Sequence, residues 1–121
     1  MKIYISHSSS FDYKNELYIP LRESVLNSKY EIVLPHEESD EQSNSINFLQ
    51  NSCNLMIAEV SYKSTGLGIE LGRAELLKIP IICIYKKWTK VAWSVKVIKC
   101  NFIEYENLED LICKLEKAIL I

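Results

Sequence analysis

Short apolar runs alternate along this chain with longer segments in which apolar residues recur every three or four positions. The short runs predict strands and the longer segments predict helices. We expect strands over residues 2–6, 30–34, 55–60, 79–85 and 102–105. We expect helices over residues 11–28, 45–52, 68–78 and 108–121, while residues 89–99 suit a short helix but are rich in β-branched side chains. Pro20 lies inside the first helix, which must therefore kink there or restart after a break near Tyr18.

Strands that alternate with helices are joined by right-handed crossovers, which gives a parallel sheet with helices on both faces. We predict one α/β domain over residues 1–121, a flavodoxin-like, doubly wound sheet of five parallel strands. Ligands of such sheets bind beyond the carboxyl ends of the strands, at the switch point in the strand order. Here that point should lie between the first and third strands, so the loops at residues 7–10 and 61–68 should meet in one crevice.

Composition and charge narrow the range of partners. The 121 residues fit a single domain, and the 48% of hydrophobic and 25% of charged residues are ordinary for a globular protein. A net charge of −2 gives no electrostatic reason to expect nucleic acid or a membrane surface as partner. No apolar run approaches the roughly 20 residues that cross a bilayer, and the first residues become polar too quickly for a signal peptide. A small anionic ligand remains compatible with this charge.

The cysteines and histidines show no pattern of metal ligands. The four cysteines lack metal-binding spacing, and the two histidines fall in predicted loops, so we expect no metal and no cofactor. Cys53, Cys83 and Cys113 have apolar neighbours, which predicts buried thiols. Free thiols are typical of the reducing cytoplasm, where we expect this protein.

The richest chemistry lies in residues 58–74, which run from strand through turn to helix. Gly66 and Gly68 would let the backbone approach a ligand closely, and the amides of the helix start, with the Ser64 hydroxyl, suit an anion. Glu70 is expected in the first helical turn, where the dipole favours an ionised carboxylate. Beside a sugar, such a carboxylate can act as a nucleophile in glycosyl transfer. The same residues also fit a tight connection in which Glu70 is only a dipole partner.

This stretch carries a family resemblance. An Ala-Glu-Val strand, a Ser/Gly turn and a Glu-Leu-Gly-Arg-Ala helix start follow one another in this order over residues 58–74. They resemble the nucleoside 2-deoxyribosyltransferase superfamily, nearest to the 2′-deoxynucleoside 5′-monophosphate N-glycosidases. The resemblance implies that Glu70 attacks the anomeric carbon of the substrate. It also implies that Ser64 contacts the phosphate, with Gly66 and Gly68 in the same turn.

Weaker matches extend the resemblance to other loops. Tyr4 and Ser8 fall on family positions near the sugar and phosphate, and His36 matches a histidine beside the base and sugar. Ser94 lies near a serine that some N-glycosidases lend to the phosphate site of the neighbouring subunit. The resemblance therefore implies a homodimer.

Two departures from the family pattern concern catalysis and phosphate binding. The family usually has an aspartate before the third strand, whereas residues 43–49 here contain no carboxylate. Asn47 or Ser45 could position a sugar there, but neither donates a proton as a carboxylic acid does. The first loop has Ser10 near the place of a phosphate-binding arginine, and His7 or Lys63 could take over that role.

Several further residues have more than one interpretation. Glu59 could neighbour Glu70 as a second carboxylate, or it could pair with Arg73 or cap backbone amides. A nucleobase could stack on one of four aromatic residues, of which Tyr85 and Trp93 suit core or dimer contacts equally well. These four are Tyr62, Tyr85, Trp88 and Trp93.

The sequence thus predicts an enzyme that cleaves or transfers at the N-glycosidic bond of a small nucleoside or its 5′-monophosphate. One alternative is a nucleotide-binding sensor that has lost catalysis along with the aspartate. Another, from analogy of fold with TIR-type domains alone, is an NAD hydrolase.

Overall fold

The fold is taken from a computed structural model, in which residues 1–37, 49 and 52–119 are described. Within these residues all strands lie in one parallel sheet, in the order β2-β1-β3-β4-β5. The strand order reverses between β1 and β3, as predicted for a flavodoxin-like sheet. The strands are β1 (Lys2–His7), β2 (Glu31–Val33), β3 (Leu55–Glu59), β4 (Ile81–Lys86) and β5 (Asn101–Tyr105).

The first helical segment is divided at Ser24 rather than being continuous. A π-helical turn (Lys14–Tyr18) leads into α1 (Ile19–Glu23), and α2 (Val25–Lys29) follows. Pro20 is the second residue of α1, which directly follows the π-helical turn. Tyr18 and Ile19 both have right-handed helical backbone angles, so the predicted break near Tyr18 does not occur. The break lies instead at the extended residue Ser24, where it was not predicted.

The remaining helices are α3 (Thr65–Leu76), α4 (Trp93–Lys96) and α5 (Leu108–Ile119). The ambiguous segment after β4 thus contains one short helix. Helix α3 begins three residues before its predicted start, because the Ser64 oxygen accepts the Leu67 N–H and caps the helix there. The helix predicted over 45–52 lies almost entirely outside the described residues. No helix in the described part of the chain is long and apolar enough to cross a membrane.

The sheet separates the core into two layers. One layer packs β-strand residues such as Ile5 and Ile57 beneath α1, α2 and α5, on what we call the α5 face. The other packs Met56 and Ala58 beneath α3 and α4, on the α3 face. Since successive strand residues point to opposite faces, Tyr4 and Ser6 of β1 project to the α3 face, whereas its last residue, His7, projects to the α5 face. This alternation decides which side chains can meet at the carboxyl edge.

Candidate functional site

The Glu70 carboxylate is held over β1 by two hydroxyl groups. The Tyr4 hydroxyl donates to Oε2 at 2.6 Å, and the Ser6 hydroxyl donates to Oε1 at 2.7 Å. Both donors are buried, while Glu70 is half-buried. The side chain therefore lies against the sheet near the predicted switch point, with each oxygen tied to a rigid strand and part of the group still open to solvent.

These hydroxyls replace the stabilisation expected from the helix. Because α3 begins at Thr65, Glu70 lies in its second turn and not in the first. The effect of the helix dipole falls off within the first turn. The prediction that Glu70 lies in that turn, where the dipole would stabilise its carboxylate, was therefore wrong. Sequence reasoning did not select Ser6. The alternation of side chains in β1 could have identified Ser6, because a period of two puts Tyr4 and Ser6 on one face and the apolar Ile3 and Ile5 on the other.

The first turn of α3 has open space beside its two glycines. A Cβ at Gly68 would meet no atom within 4 Å, and one at Gly66 would meet only the Ser64 Oγ, at 3.9 Å. Neither glycine has a positive φ, so the backbone conformation does not require glycine at these positions. The Ser64 oxygen accepts the Leu67 N–H, which leaves the hydroxyl proton able to bind a ligand.

A second polar network joins the first loop to the loop after β2. His7 Nδ1 donates to the Ser8 carbonyl at 2.8 Å, so Nε2 accepts from the Tyr18 hydroxyl at 2.6 Å. The same hydroxyl accepts the His36 N–H at 3.0 Å. Burial lowers the pKa of His7, which favours the neutral ring. With both nitrogens engaged, His7 is a poor substitute for a phosphate-binding arginine, whereas Lys63 is exposed in the turn before α3.

His36 lies beside this network. Its ring centroid is 5.7 Å from that of His7, and its buried Nδ1 has no hydrogen-bond partner among the described residues. Ser8 is buried, and its Oγ accepts a hydrogen bond from the Ser10 N–H at 3.1 Å. The hydroxyl oxygens of Ser8 and Ser10 are also hydrogen-bonded, at 2.8 Å. Ser8 therefore shapes the first loop.

The other predicted residues lie elsewhere or outside the described chain. Ser94 is exposed on α4, which packs on the α3 face through Val95. Asn47, with Ser45, belongs to residues that the structure does not describe. Of the aromatic candidates, Trp88 and Trp93 are exposed, so Trp93 is not a core residue. Tyr62 stacks on Phe11 with ring centroids 4.6 Å apart, and Tyr85 is half-buried. Of the three thiols predicted to be buried, Cys83 is buried, whereas Cys53 is half-buried and Cys113 is exposed.

Glu59 does not neighbour Glu70. It belongs to the opposite face of the sheet and is fully buried, where its Oε1 accepts the Ser61 N–H at 2.6 Å. Its Oε2 accepts a hydrogen bond from the Tyr105 hydroxyl. Burial raises the pKa of Glu59. The interpretation as a residue that caps backbone amides is confirmed, and the interpretation as a second carboxylate beside Glu70 is wrong.

Comparison with solved structures identifies the fold. The CMP N-glycosidase of Clostridium botulinum superposes with a TM-score of 0.71 at 16% identity, over 98% of this chain and 99% of that one. The fold is shared with an N-glycosidase. A conserved protein from Enterococcus faecalis V583 superposes with a TM-score of 0.67 at 18% identity, over 98% of both chains. No protein-family model and no curated sequence matches this chain, so the likeness is one of fold.

The fold shared with these two solved structures extends over nearly the full length of the chains. It confirms the predicted α/β architecture. The geometry adds a carboxylate that two hydroxyls orient at the carboxyl edge of the sheet. A carboxylate fixed in this way can attack an electrophilic carbon or stabilise a developing positive charge.

Proposed function

We propose that this chain cleaves, or transfers at, the N-glycosidic bond of a nucleoside or its 5′-monophosphate, with Glu70 as the nucleophile. The observation that carries the proposal is the hydrogen bonding of both Glu70 oxygens to Tyr4 and Ser6 at the edge of the sheet. The fold shared with a CMP N-glycosidase supports the substrate class. The Glu-Leu-Gly motif at residues 70–72 supports the role of the glutamate.

In this mechanism a Glu70 oxygen attacks the anomeric carbon while the bond from that carbon to the base nitrogen breaks. The base leaves with the electron pair of that bond, and a covalent glycosyl ester remains on Glu70. Water then releases the sugar, or a second base accepts it. Since residues 43–49 contain no carboxylate, the proton that the departing base needs comes from solvent or from another group. The Tyr4 and Ser6 hydroxyls orient the carboxylate for both steps.

Substrate binding in the proposal uses the loops around this carboxylate. Ser8 and Ser64 would offer hydroxyls and Gly66 an amide to a 5′-phosphate, and exposed Lys63 would add charge. Gly68, whose N–H already donates to the Ser64 carbonyl, would contribute the open space beside it. The remaining contacts are assigned to His36, Asn47 and Ser94. Nδ1 of His36 has no hydrogen-bond partner among the described residues and would bind the base or sugar, and Asn47 would bind the sugar. Exposure of Ser94 suits a residue that acts in the site of a second copy, and we propose a cytoplasmic homodimer.

The test is incubation with a panel of nucleosides, nucleoside monophosphates and NAD, followed by chromatography for released base. We expect release from at least one nucleoside or monophosphate by the wild type. Glu70→Gln keeps the shape of the side chain but removes its charge, so it should bind the same substrate without turnover. If excess enzyme releases no base from any substrate, or if Glu70→Gln is as active as the wild type, the proposal is wrong.

Two departures from the family pattern favour a second candidate, a nucleotide-binding sensor. Residues 43–49 lack the family aspartate, and the first loop has Ser10 near the place of the phosphate-binding arginine. A sensor would be stabilised against heat by a nucleotide in a concentration-dependent manner without consuming it. The same panel distinguishes the two candidates, because only the enzyme releases base. NAD consumption would instead indicate the hydrolase alternative.

A further inference from the structure

Two of the four cysteines lie in direct contact. The Cys100 thiol donates a hydrogen bond to the Cys83 sulfur, and the two Sγ atoms are 3.2 Å apart. Cys83 is fully buried in the middle of β4, and Cys100 is half-buried immediately before β5. Both belong to the apolar layer on the α3 face. Neither thiol takes part in the function proposed above.

Cys100 lies just outside the strand that pairs with β4. In the β4–β5 ladder Cys83 pairs with Phe102, so Cys100 precedes its partner position by two residues and lies outside the strand. A disulfide has an S–S bond of about 2.05 Å, so the sulfurs at 3.2 Å need to approach by about 1.2 Å. Rotation of the side chains and adjustment of the bend at residues 98–100 can supply such a movement.

We propose that Cys83 and Cys100 form a reversible disulfide when the protein meets a peroxide. The more exposed Cys100 sulfur attacks one peroxide oxygen, the O–O bond breaks, and a sulfenic acid forms with release of water. The Cys83 sulfur then attacks the Cys100 sulfur, the S–O bond breaks, and a second water carries away the Cys83 proton. Two thiols thus lose two electrons to the peroxide, which is reduced to water.

Two physical consequences follow from this assignment. Burial raises the pKa of both thiols, so the thiolate fraction is small and oxidation should be slow compared with that of an ordinary thiol. The disulfide would close a loop over residues 84–99, which includes exposed Trp88 and Ser94. The disulfide would therefore link the segment that contains α4 covalently to β4 in the sheet.

The test uses the wild-type chain, fully reduced and then treated with excess hydrogen peroxide. Thiols are counted in denaturant with dithionitrobenzoate. The reduced protein should give four thiols, the oxidised monomer should give two fewer, and dithiothreitol should restore them. The midpoint of thermal unfolding should rise on oxidation, because the crosslink restricts the unfolded chain.

Peptide mapping identifies the pair. Trypsin yields Cys83 in residues 79–86 but Cys100 and Cys113 together in residues 100–114, so mapping is done in Cys113→Ser, at an exposed position of α5. We expect these two peptides to be linked, while Cys53 remains open to alkylation as the internal control. Cys100→Ser should lose both the link and the thermal shift.

Retention of all four thiols in excess peroxide would overturn the proposal. Sulfinic acid at Cys100 without a link, a disulfide that includes Cys53, or a crosslinked dimer would overturn it as well. These results do not depend on glycosidase activity, so failure of either proposal is recognised separately.

Discussion

The clearest test of the site is removal of the Tyr4 hydroxyl. Tyr4→Phe deletes the donor that lies 2.6 Å from Glu70 Oε2 and keeps the buried ring, which is 3% exposed. A hydrogen bond to a charged group contributes about 1.5–3 kcal/mol. Since each 1.4 kcal/mol corresponds to about a tenfold change in rate, loss of the whole bond would reduce kcat/KM by about 10- to 150-fold.

Access of solvent to Glu70 reduces the loss of kcat/KM that we expect. Glu70 is half-buried, and water can replace the lost donor at Oε2 while Ser6 still holds Oε1 at 2.7 Å. We therefore expect a decrease near the lower end, about tenfold, with kcat affected more than KM, because the carboxylate loses orientation and not binding contacts. Release of base from the best substrate of the panel, followed by chromatography, gives both constants.

Tyr62→Phe is the matched control. Tyr62 lies after the end of β3, and its hydroxyl accepts a hydrogen bond from the Lys86 ammonium at 2.9 Å and takes no part in the Glu70 contacts. This variant should retain the wild-type rate. Adding Ser6→Ala to Tyr4→Phe should cost more than the product of the two single effects, because the last anchor is then removed. Unchanged kcat in a folded Tyr4→Phe variant would refute the positioning role of this hydroxyl.

Three further predictions concern stability, each measured by denaturant unfolding. Glu59 has a folded-state pKa raised above its ordinary 4.5, so its favourable contribution is present below that pH and is lost as pH rises through the folded pKa. Relative to the wild type, Glu59→Gln should therefore gain stability as pH increases from 4.5 to neutrality, and a pH-independent difference would contradict this. Tyr18→Phe leaves the buried Nε2 of His7 without its donor and should cost about 1–3 kcal/mol, whereas Tyr30→Phe, with no hydroxyl bond among the described contacts, should be nearly neutral. Ser64→Ala removes the cap of α3 and should cost about 0.5–2 kcal/mol. In the last case Ser28→Ala, at an exposed position of α2, is the control, and equal losses would argue against the cap.

Much of the fold could be predicted because its signals are local. The apolar run at residues 79–85 indicated a strand covered on both faces, and β4 is that strand. Alternation of strands and helices led to the parallel order with the switch between β1 and β3. The start of α3 was missed because Gly66 and Gly68 were interpreted as a turn, whereas the Ser64 cap includes both in the helix. In the first helical segment, Pro20 predicted a kink or a break near Tyr18, whereas the break lies at Ser24, which nothing in the local pattern predicted.

The sequence by itself determined the presence of a nucleophile candidate, because the motif around Glu70 is contiguous and its residue types are explicit. Only the tertiary structure decided its partners, since Tyr4 and Ser6 lie more than 60 residues away along the chain and meet Glu70 through the register of β1 with β3. It also separated Glu59 from Glu70. The physical reason is the pleat, which sends a strand's successive side chains to opposite faces, so that proximity in space depends on parity and pairing rather than on distance along the chain.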